Sequence, residues 1–175
     1  ISPDIMIDAL YAFTDCESSI SPNACLIVDE KPTFMGVNDV LAKSTANTVD
    51  LLRQELEIRR SELMEKILFT SLEKIFIENR IYRDIEEVEE SFDEVVNTVD
   101  KGLEPYKPSF YREINRDDLL RLLEIRIKRI SKFDSFKADE AMRGMQDELA
   151  QVEHNLEHIT DYTISYYEKL IKDFG

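Results

Sequence analysis

The sequence predicts a mainly α-helical fold: a long antiparallel coiled coil within one chain, a small helical dimerisation knob at its tip and a short β-hairpin at its base. Three observations support this. Residues 138–174 carry a heptad repeat, and residues 40–76 contain neither glycine nor proline. The whole chain has only four glycines and 34% charged residues, a composition that favours helix over sheet. A helix of about 40 residues is about 60 Å long, so each apolar stripe needs a second long helix to cover it.

The pairing of the two long helices follows from their apolar stripes. In the later segment, residues at alternating spacings of three and four are nearly all apolar, which is the a/d pattern of a coiled coil. The earlier stripe is poorer, because Thr45, Thr48 and Arg59 interrupt it. We predict a seam formed by Leu52, Leu56, Leu63, Met145, Leu149, Val152, Leu156, Ile159 and Tyr166.

The chain divides into four segments. Residues 1–36 form a helix that starts at Pro3, followed by a hairpin with strands at 24–28 and 33–35. Residues 37–76 form the outbound helix, capped by Asn38, and residues 134–175 form the returning helix. Residues 77–133 form the tip.

The tip is unusually apolar. Ser91 caps a short helix, and Asn115 opens a second helix that runs to Ile130. The second helix is apolar on almost every face, and this is more apolar surface than a small knob can bury internally. We therefore expect a partner to cover part of it.

Composition excludes several classes of protein. The formal charge is −15, from 37 acidic and 22 basic side chains, so most of the surface repels phosphate backbones. No apolar run is long enough for a transmembrane helix. Cys16 and Cys25 are too few for a disulfide framework, and reduced thiols in a cytosolic protein are the favoured interpretation. The amino terminus lacks an initiator Met and a signal sequence, so we expect a segment of a longer, cytoplasmic protein.

No residues in the chain have the pattern of a catalytic or metal site. Four glutamates, Glu86, Glu87, Glu89 and Glu90, point around most of a helix or loop rather than into one cleft. Tyr82 has basic neighbours, but adjacent acids favour an ion-paired surface tyrosine. His154 and His158 have a metal-binding spacing on an exposed face. Basic residues in 124–132 fit either a nucleic-acid patch or, preferably, ion pairs at an interface.

The order of elements resembles the A subunit of bacterial type IIA DNA topoisomerases, gyrase and topoisomerase IV, and topoisomerase IV more closely. The similar stretches cover essentially the whole chain. They are LYAFTD at 10–15, IVD at 27–29, KPTFMG at 31–36, DVL at 39–41, SLEKIFIENR at 71–80 and LLEIRIKRISKFD at 122–134. The last is similar to the leucine-rich sequence at the lower gate of the family.

The resemblance implies a function for each segment. Residues 1–36 would end the tower region, the long helices would form the arm, and the tip would be the reversible exit gate where two copies meet. The gate contacts would be Leu119, Leu122, Leu123, Ile127, Ile130 and Phe133. The parent protein would be nucleoid-associated and would pass one duplex through a break in another. ATP and magnesium would bind to other domains or to an ATPase B subunit. We expect little direct DNA contact here.

The resemblance also implies that this segment is not catalytic, with no cofactor or metal site. The family cleaves DNA with a tyrosine that follows an arginine, and no tyrosine here does. Two alternatives stay open. One is a non-enzymatic coiled-coil scaffold whose long helices pair between chains. The other is an enzyme with a carboxylate-bound metal, which requires a Glu-x-x-His motif that is absent.

Overall fold

The computed structural model describes residues 2–85 and 91–175, and it is mainly α-helical with one small β-hairpin, as predicted. The chain divides into two compact units, Ile1–Thr48 and Val49–Gly175. Helix α2, Val37–Glu78, begins in the first unit and ends in the second.

The first unit contains a helix and a hairpin before α2. Helix α1, Pro3–Phe13, buries none of its residues. Strands β1, Ala24–Val28, and β2, Lys31–Met35, pair antiparallel, with Val28 opposite Lys31. The turn is therefore only Asp29 and Glu30, both at positive φ, and β2 begins two residues earlier than predicted. Helix α2 starts at Val37, so the predicted cap Asn38 lies inside its first turn.

The second unit contains the rest of α2 and six further helices among the described residues. They are α3 Ile81–Asp84, α4 Phe92–Leu103, α5 Arg116–Leu123, α6 Ile127–Ser131, α7 Ser135–Glu157 and α8 Ile159–Phe174, with a 3₁₀ helix Glu104–Ser109 after α4. The predicted caps are present: Ser91 accepts from the Glu94 N–H at the start of α4, and Asn115 forms a reciprocal capping box with Asp118 at the start of α5.

Two predicted continuous helices are interrupted. The helix expected from Asn115 to Ile130 ends at Leu123, and Arg126 has an extended backbone before α6 begins. The returning helix breaks at His158, where φ is −114° and ψ is 44°. Neither break contains glycine or proline, so the sequence carries no local signal for it. The first break explains why the segment expected to be one helix is apolar on almost every face. The segment is two helices, α5 and α6, and each has an apolar face of its own.

The largest apolar core joins the end of α2 to the short helices. We call residues 68–133, which contain it, the knob. The buried members of this core are Leu68, Leu72, Phe76, Ile77, Ile81, Val96, Val99, Leu103, Leu119 and Leu122. The last turns of the outbound helix are thus part of the knob, because their apolar face packs against α3, α4 and α5. Packing is tight at Gly102, where an added Cβ would lie 2.8 Å from Ile81 Cγ2.

The structure contains no helix, within the described residues, that is long and apolar enough to cross a membrane.

Candidate functional site

The seam between α2 and the returning helices is a second apolar cluster. Its buried members are Leu56, Leu63 and Val152, and Leu52 is buried on the same helix as the first two. Four residues of the predicted seam pack against this cluster half-buried: Met145, Leu149, Leu156 and Ile159. The helices therefore cover each other's stripes within a single chain.

Tyr166 differs from its predicted position on the seam. Its side chain is 39% exposed, whereas Thr163 is buried and Tyr162, Tyr167 and Leu170 are half-buried. The heptad was counted through one uninterrupted helix. Thr163 and Leu170 keep the inward positions that the same count predicts, so only Tyr166 departs from it, and its neighbour Tyr167 is the more buried of the two. Tyr166 packs edge-on against Tyr167, with ring centroids 5.7 Å apart.

Polar contacts along α2 and α7 show that the pair is antiparallel. Arg59 donates from Nε to Glu148 Oε1 at 2.7 Å, Lys74 pairs with Asp139, and Ser135 donates to Glu78. Residues later in α2 contact residues earlier in α7, so the two helices run in opposite directions. The Arg59 and Glu148 side chains are both more than a third exposed, so this ion pair orients the helices more than it stabilises them.

A polar clamp ties the loop before α5 to α2. Arg112 donates to Glu65 Oε2 at 2.8 Å and to Asp118 Oδ2 at 2.7 Å, and Tyr111 donates to Glu65. Hydrogen bonds from Arg112 and Tyr111 lower the pKa of Glu65 to about 2. Burial would raise the pKa of Asp118, but hydrogen bonds from Arg112 and the Asn115 N–H lower it below its ordinary value. Both carboxylates are therefore ionised at neutral pH.

The six predicted gate residues do not share one exposed surface. Leu119 and Leu122 are buried in the core of the knob, so neither is available to a partner. They were assigned to the gate by their position in the apolar sequence, but α5 turns them towards α2 and α4. Leu123, Ile130 and Phe133 pack half-buried against the same core. Ile127 is the exception, because its side chain is 82% exposed.

Phe136 is an exposed apolar residue that the sequence prediction missed. It lies in the first turn of α7 and is 76% exposed, three residues after Phe133. Asp134 caps this turn through hydrogen bonds from the Phe136 and Lys137 N–H groups. The available signal was Phe136's position off the heptad seam, which leaves a large aromatic side chain without a place inside the helix pair.

A basic cleft lies between α2, α6 and the start of α7. Its volume is about 610 Å³, and five cationic side chains and two carboxylates line it. One carboxylate, Glu73, is buried on α2 and binds Arg129 of α6 through two contacts, Nη2 to Oε2 at 2.8 Å and Nε to Oε1 at 2.5 Å. At least this basic residue of 124–132 therefore forms its ion pair within the chain.

The other candidate residues do not form a reaction centre. Glu86, Glu87, Glu89 and Glu90 lie outside the described residues. Within the described part of the chain, no three His, Cys, Asp or Glu residues come together as metal ligands. His154 and His158 stack with ring centroids 4.4 Å apart on the exposed side of the helix break, and Cys16 and Cys25 are exposed thiols.

Comparison with known proteins decides the family. The family model for the A subunit of DNA gyrase/topoisomerase IV matches residues 1–168. The chain belongs to this family. It is 31% identical over 170 residues to the DNA topoisomerase 4 A subunit from Borreliella burgdorferi, a match that covers 97% of this chain and 27% of that protein. It is 26% identical over 160 residues to the DNA gyrase A subunit from Lawsonia intracellularis, covering 87% of this chain and 18% of the relative.

The gyrase/topoisomerase IV assignment confirms the resemblance found in the sequence. The chain spans about a quarter of the length of one curated relative and less than a fifth of the other. Helices α2 and α7, the knob and the hairpin all fall within the matched residues, and the match ends inside α8.

Proposed function

We propose that the chain is the coiled-coil arm and the reversible dimer gate of the A subunit of a type IIA DNA topoisomerase. The parent enzyme would be an ATP-dependent isomerase that passes one duplex through a transient break in another. An ATPase B subunit would bind ATP, and the DNA-cleaving tyrosine and magnesium would lie on domains outside these residues. This segment would take no part in the chemistry and would contact DNA little.

Two exposed apolar side chains, one in the knob and one just after it in α7, support the gate most directly. Ile127 is 82% exposed and Phe136 is 76% exposed in a chain whose knob already buries a complete core. Large apolar side chains this exposed, with half-buried Ile130 and Phe133 between them in sequence, are typical of a surface that meets a partner. A second copy is the proposed partner, through a revised contact set centred on Ile127 and Phe136.

Charged residues flank part of this apolar surface in the sequence. Arg126, Lys128 and Lys132 flank Ile127 and Ile130 in sequence, and all three are exposed. A polar rim favours an interface that opens and recloses, because each half remains soluble when separated. The structure also supports the gate over the scaffold alternative, because α2 and α7 already cover each other's seam within one chain.

Sedimentation equilibrium tests the proposal on the 175-residue chain. We expect a concentration-dependent dimer for the wild type and a shift towards monomer for Ile127→Asp, because the substitution places a charge at the centre of the interface. Ile58→Asp is the matched control. Ile58 is 61% exposed on α2, away from the knob, so this variant should dimerise as the wild type does.

Circular dichroism separates loss of the interface from loss of the fold. Both aspartate variants should retain wild-type helix content and melting temperature, since each replaces an exposed side chain. A wild type that stays monomeric at high micromolar concentration would contradict the gate. So would equal dimerisation of Ile127→Asp and Ile58→Asp.

A further inference from the structure

The basic cleft between α2, α6 and α7 is not explained by the core or the seam, and three of its cations, Arg126, Lys128 and Lys132, also flank the proposed dimer contact. We propose that this cleft binds a short free polyphosphate. This ligand site goes beyond the gate function and requires neither a dimer nor DNA.

Charge is the first argument. Arg126, Lys128, Arg129, Lys132 and Lys137 line the cleft, against only Glu73 and Asp134, which gives the lining a formal charge of +3. The whole chain carries −15. A local concentration of cations in such an acidic protein creates a positive potential that attracts small anions.

The second argument is that three of these cations remain available to a ligand. Arg129 is held by buried Glu73, and Lys137 Nζ lies 3.8 Å from Asp134 Oδ2. Arg126, Lys128 and Lys132 have no carboxylate within ion-pair distance among residues 2–85 and 91–175. Arginine and lysine are the side chains that bind phosphate oxygens best, through charge-assisted hydrogen bonds.

The third argument is that the cleft is partly preorganised. The Arg129–Glu73 pair fixes α6 against α2, and the Asp134 cap fixes the first turn of α7, from which Lys137 extends. The three available cations lie on or beside α6, within seven residues of one another. A ligand therefore meets a cleft whose walls are already held in place, which lowers the entropy cost of binding.

Shape and net charge select a short polyphosphate over a nucleic-acid duplex. A cleft of about 610 Å³ admits a few linked phosphate groups, whereas a duplex would extend beyond it over a surface of net negative charge. A long polyanion would be repelled by most of that surface. A single phosphate would use only part of the available positive charge.

Isothermal titration calorimetry with sodium tripolyphosphate tests the site, in magnesium-free buffer at low salt. We expect one site per chain, weaker binding of inorganic phosphate, and loss of affinity as salt is raised. Lys128→Glu/Lys132→Glu should weaken tripolyphosphate binding by about tenfold or more, because it turns two attractive charges into repulsive ones.

The matched control is Lys169→Glu/Lys172→Glu. These lysines are exposed on α8, and the double substitution changes the net charge by the same amount. It should bind tripolyphosphate within about twofold of the wild type, since α8 follows the 23 residues of α7, about 34 Å of helix, which exceeds the screening length of about 30 Å even at low salt. Circular dichroism should show unchanged helix content in both double variants.

Three outcomes would overturn the proposal. One is no tripolyphosphate binding at low salt, and another is equal weakening by the two double variants. The third is tighter binding of a short DNA duplex than of tripolyphosphate at equal phosphate concentration, which would assign the cleft to nucleic acid. The dimer is measured separately, by sedimentation without ligand. A failed gate with intact tripolyphosphate binding would refute only the proposed function.

Discussion

The two helical glycines of the second unit predict opposite effects of the same substitution. Gly144 lies in α7, and an added Cβ would meet no atom within 4 Å beyond the helix's own neighbouring backbone. Gly144→Ala should therefore stabilise the protein by about 0.5–1 kcal/mol, because alanine loses less backbone entropy in a helix. For a chain of this size, that corresponds to a rise of about 1–4 °C in melting temperature.

Gly102 is also helical, but it packs against Ile81. An added Cβ would lie 2.8 Å from Ile81 Cγ2, whereas carbon atoms in good contact are about 3.5–4.0 Å apart, so one of the two helices must shift by about 1 Å. Such overpacking costs about 1–3 kcal/mol, more than the helix propensity returns. Gly102→Ala should therefore lower the melting temperature.

Thermal and urea unfolding, followed by circular dichroism, measure both variants. A double-mutant cycle isolates the contact: in an Ile81→Ala background, Gly102→Ala should lose most of its cost, because all the closest atoms belong to Ile81. If Gly102→Ala stabilises the wild type as much as Gly144→Ala does, the close approach of α3 and α4 is wrong.

Two further predictions concern the clamp and the seam. Arg112→Met should lower the free energy of unfolding by about 2 kcal/mol at pH 7, because it leaves buried Asp118 without its guanidinium partner. The control is Arg116→Met, which should change stability by less than about 0.5 kcal/mol because the Arg116–Asp93 pair is exposed. The pKa values of Glu65 and Asp118 are lowered in the folded protein. These two carboxylates therefore stabilise the fold fully at pH values above their ordinary pKa, and this stabilisation is lost as pH falls from about 4.5 towards about 2. The wild type should therefore lose stability over that interval more steeply than Arg112→Met in urea titrations, and parallel curves would contradict the clamp. Leu63→Ala should lower the free energy of unfolding by about 2–5 kcal/mol, because the Leu63 side chain is only 1% exposed in the seam. Leu51 is 65% exposed on the same helix, so Leu51→Ala should cost less than about 0.5 kcal/mol. Equal costs would mean that the seam is misplaced.

The helix pair could be predicted from the sequence because its signal is local and periodic. Leu56, Leu63 and Val152 are recognisable from spacing alone, since a heptad repeat fixes which face of a helix turns inward. Spacing also places Tyr166 on that face, but its side chain is 39% exposed. The break at His158 has no glycine or proline to reveal it, so spacing alone does not show that the returning segment is two helices.

The knob could not be predicted in the same way, because its inner face depends on contacts between distant segments. Leu119 and Leu122 are as apolar in sequence as Ile127, yet they pack against α2 and α4 residues about 20 to 50 positions earlier. The Arg112 clamp similarly joins Glu65 on α2 to Asp118 on α5. Each residue alone resembles an ordinary surface charge, and only the tertiary fold brings the three together.

Burial of Leu119 and Leu122 also changes the expected strength of the proposed dimer. With those residues inside, the exposed apolar side chains that remain to the proposed contact on each copy are Ile127 and Phe136. Full burial of such a side chain contributes roughly 1.5–3 kcal/mol, while association itself costs about 4–15 kcal/mol. The four side chains of a dimer therefore contribute about 6–12 kcal/mol, at most about 8 kcal/mol more than the lowest cost of association, which corresponds to a Kd of about 1 µM. We therefore expect a dimer that forms at micromolar concentration and dissociates on dilution.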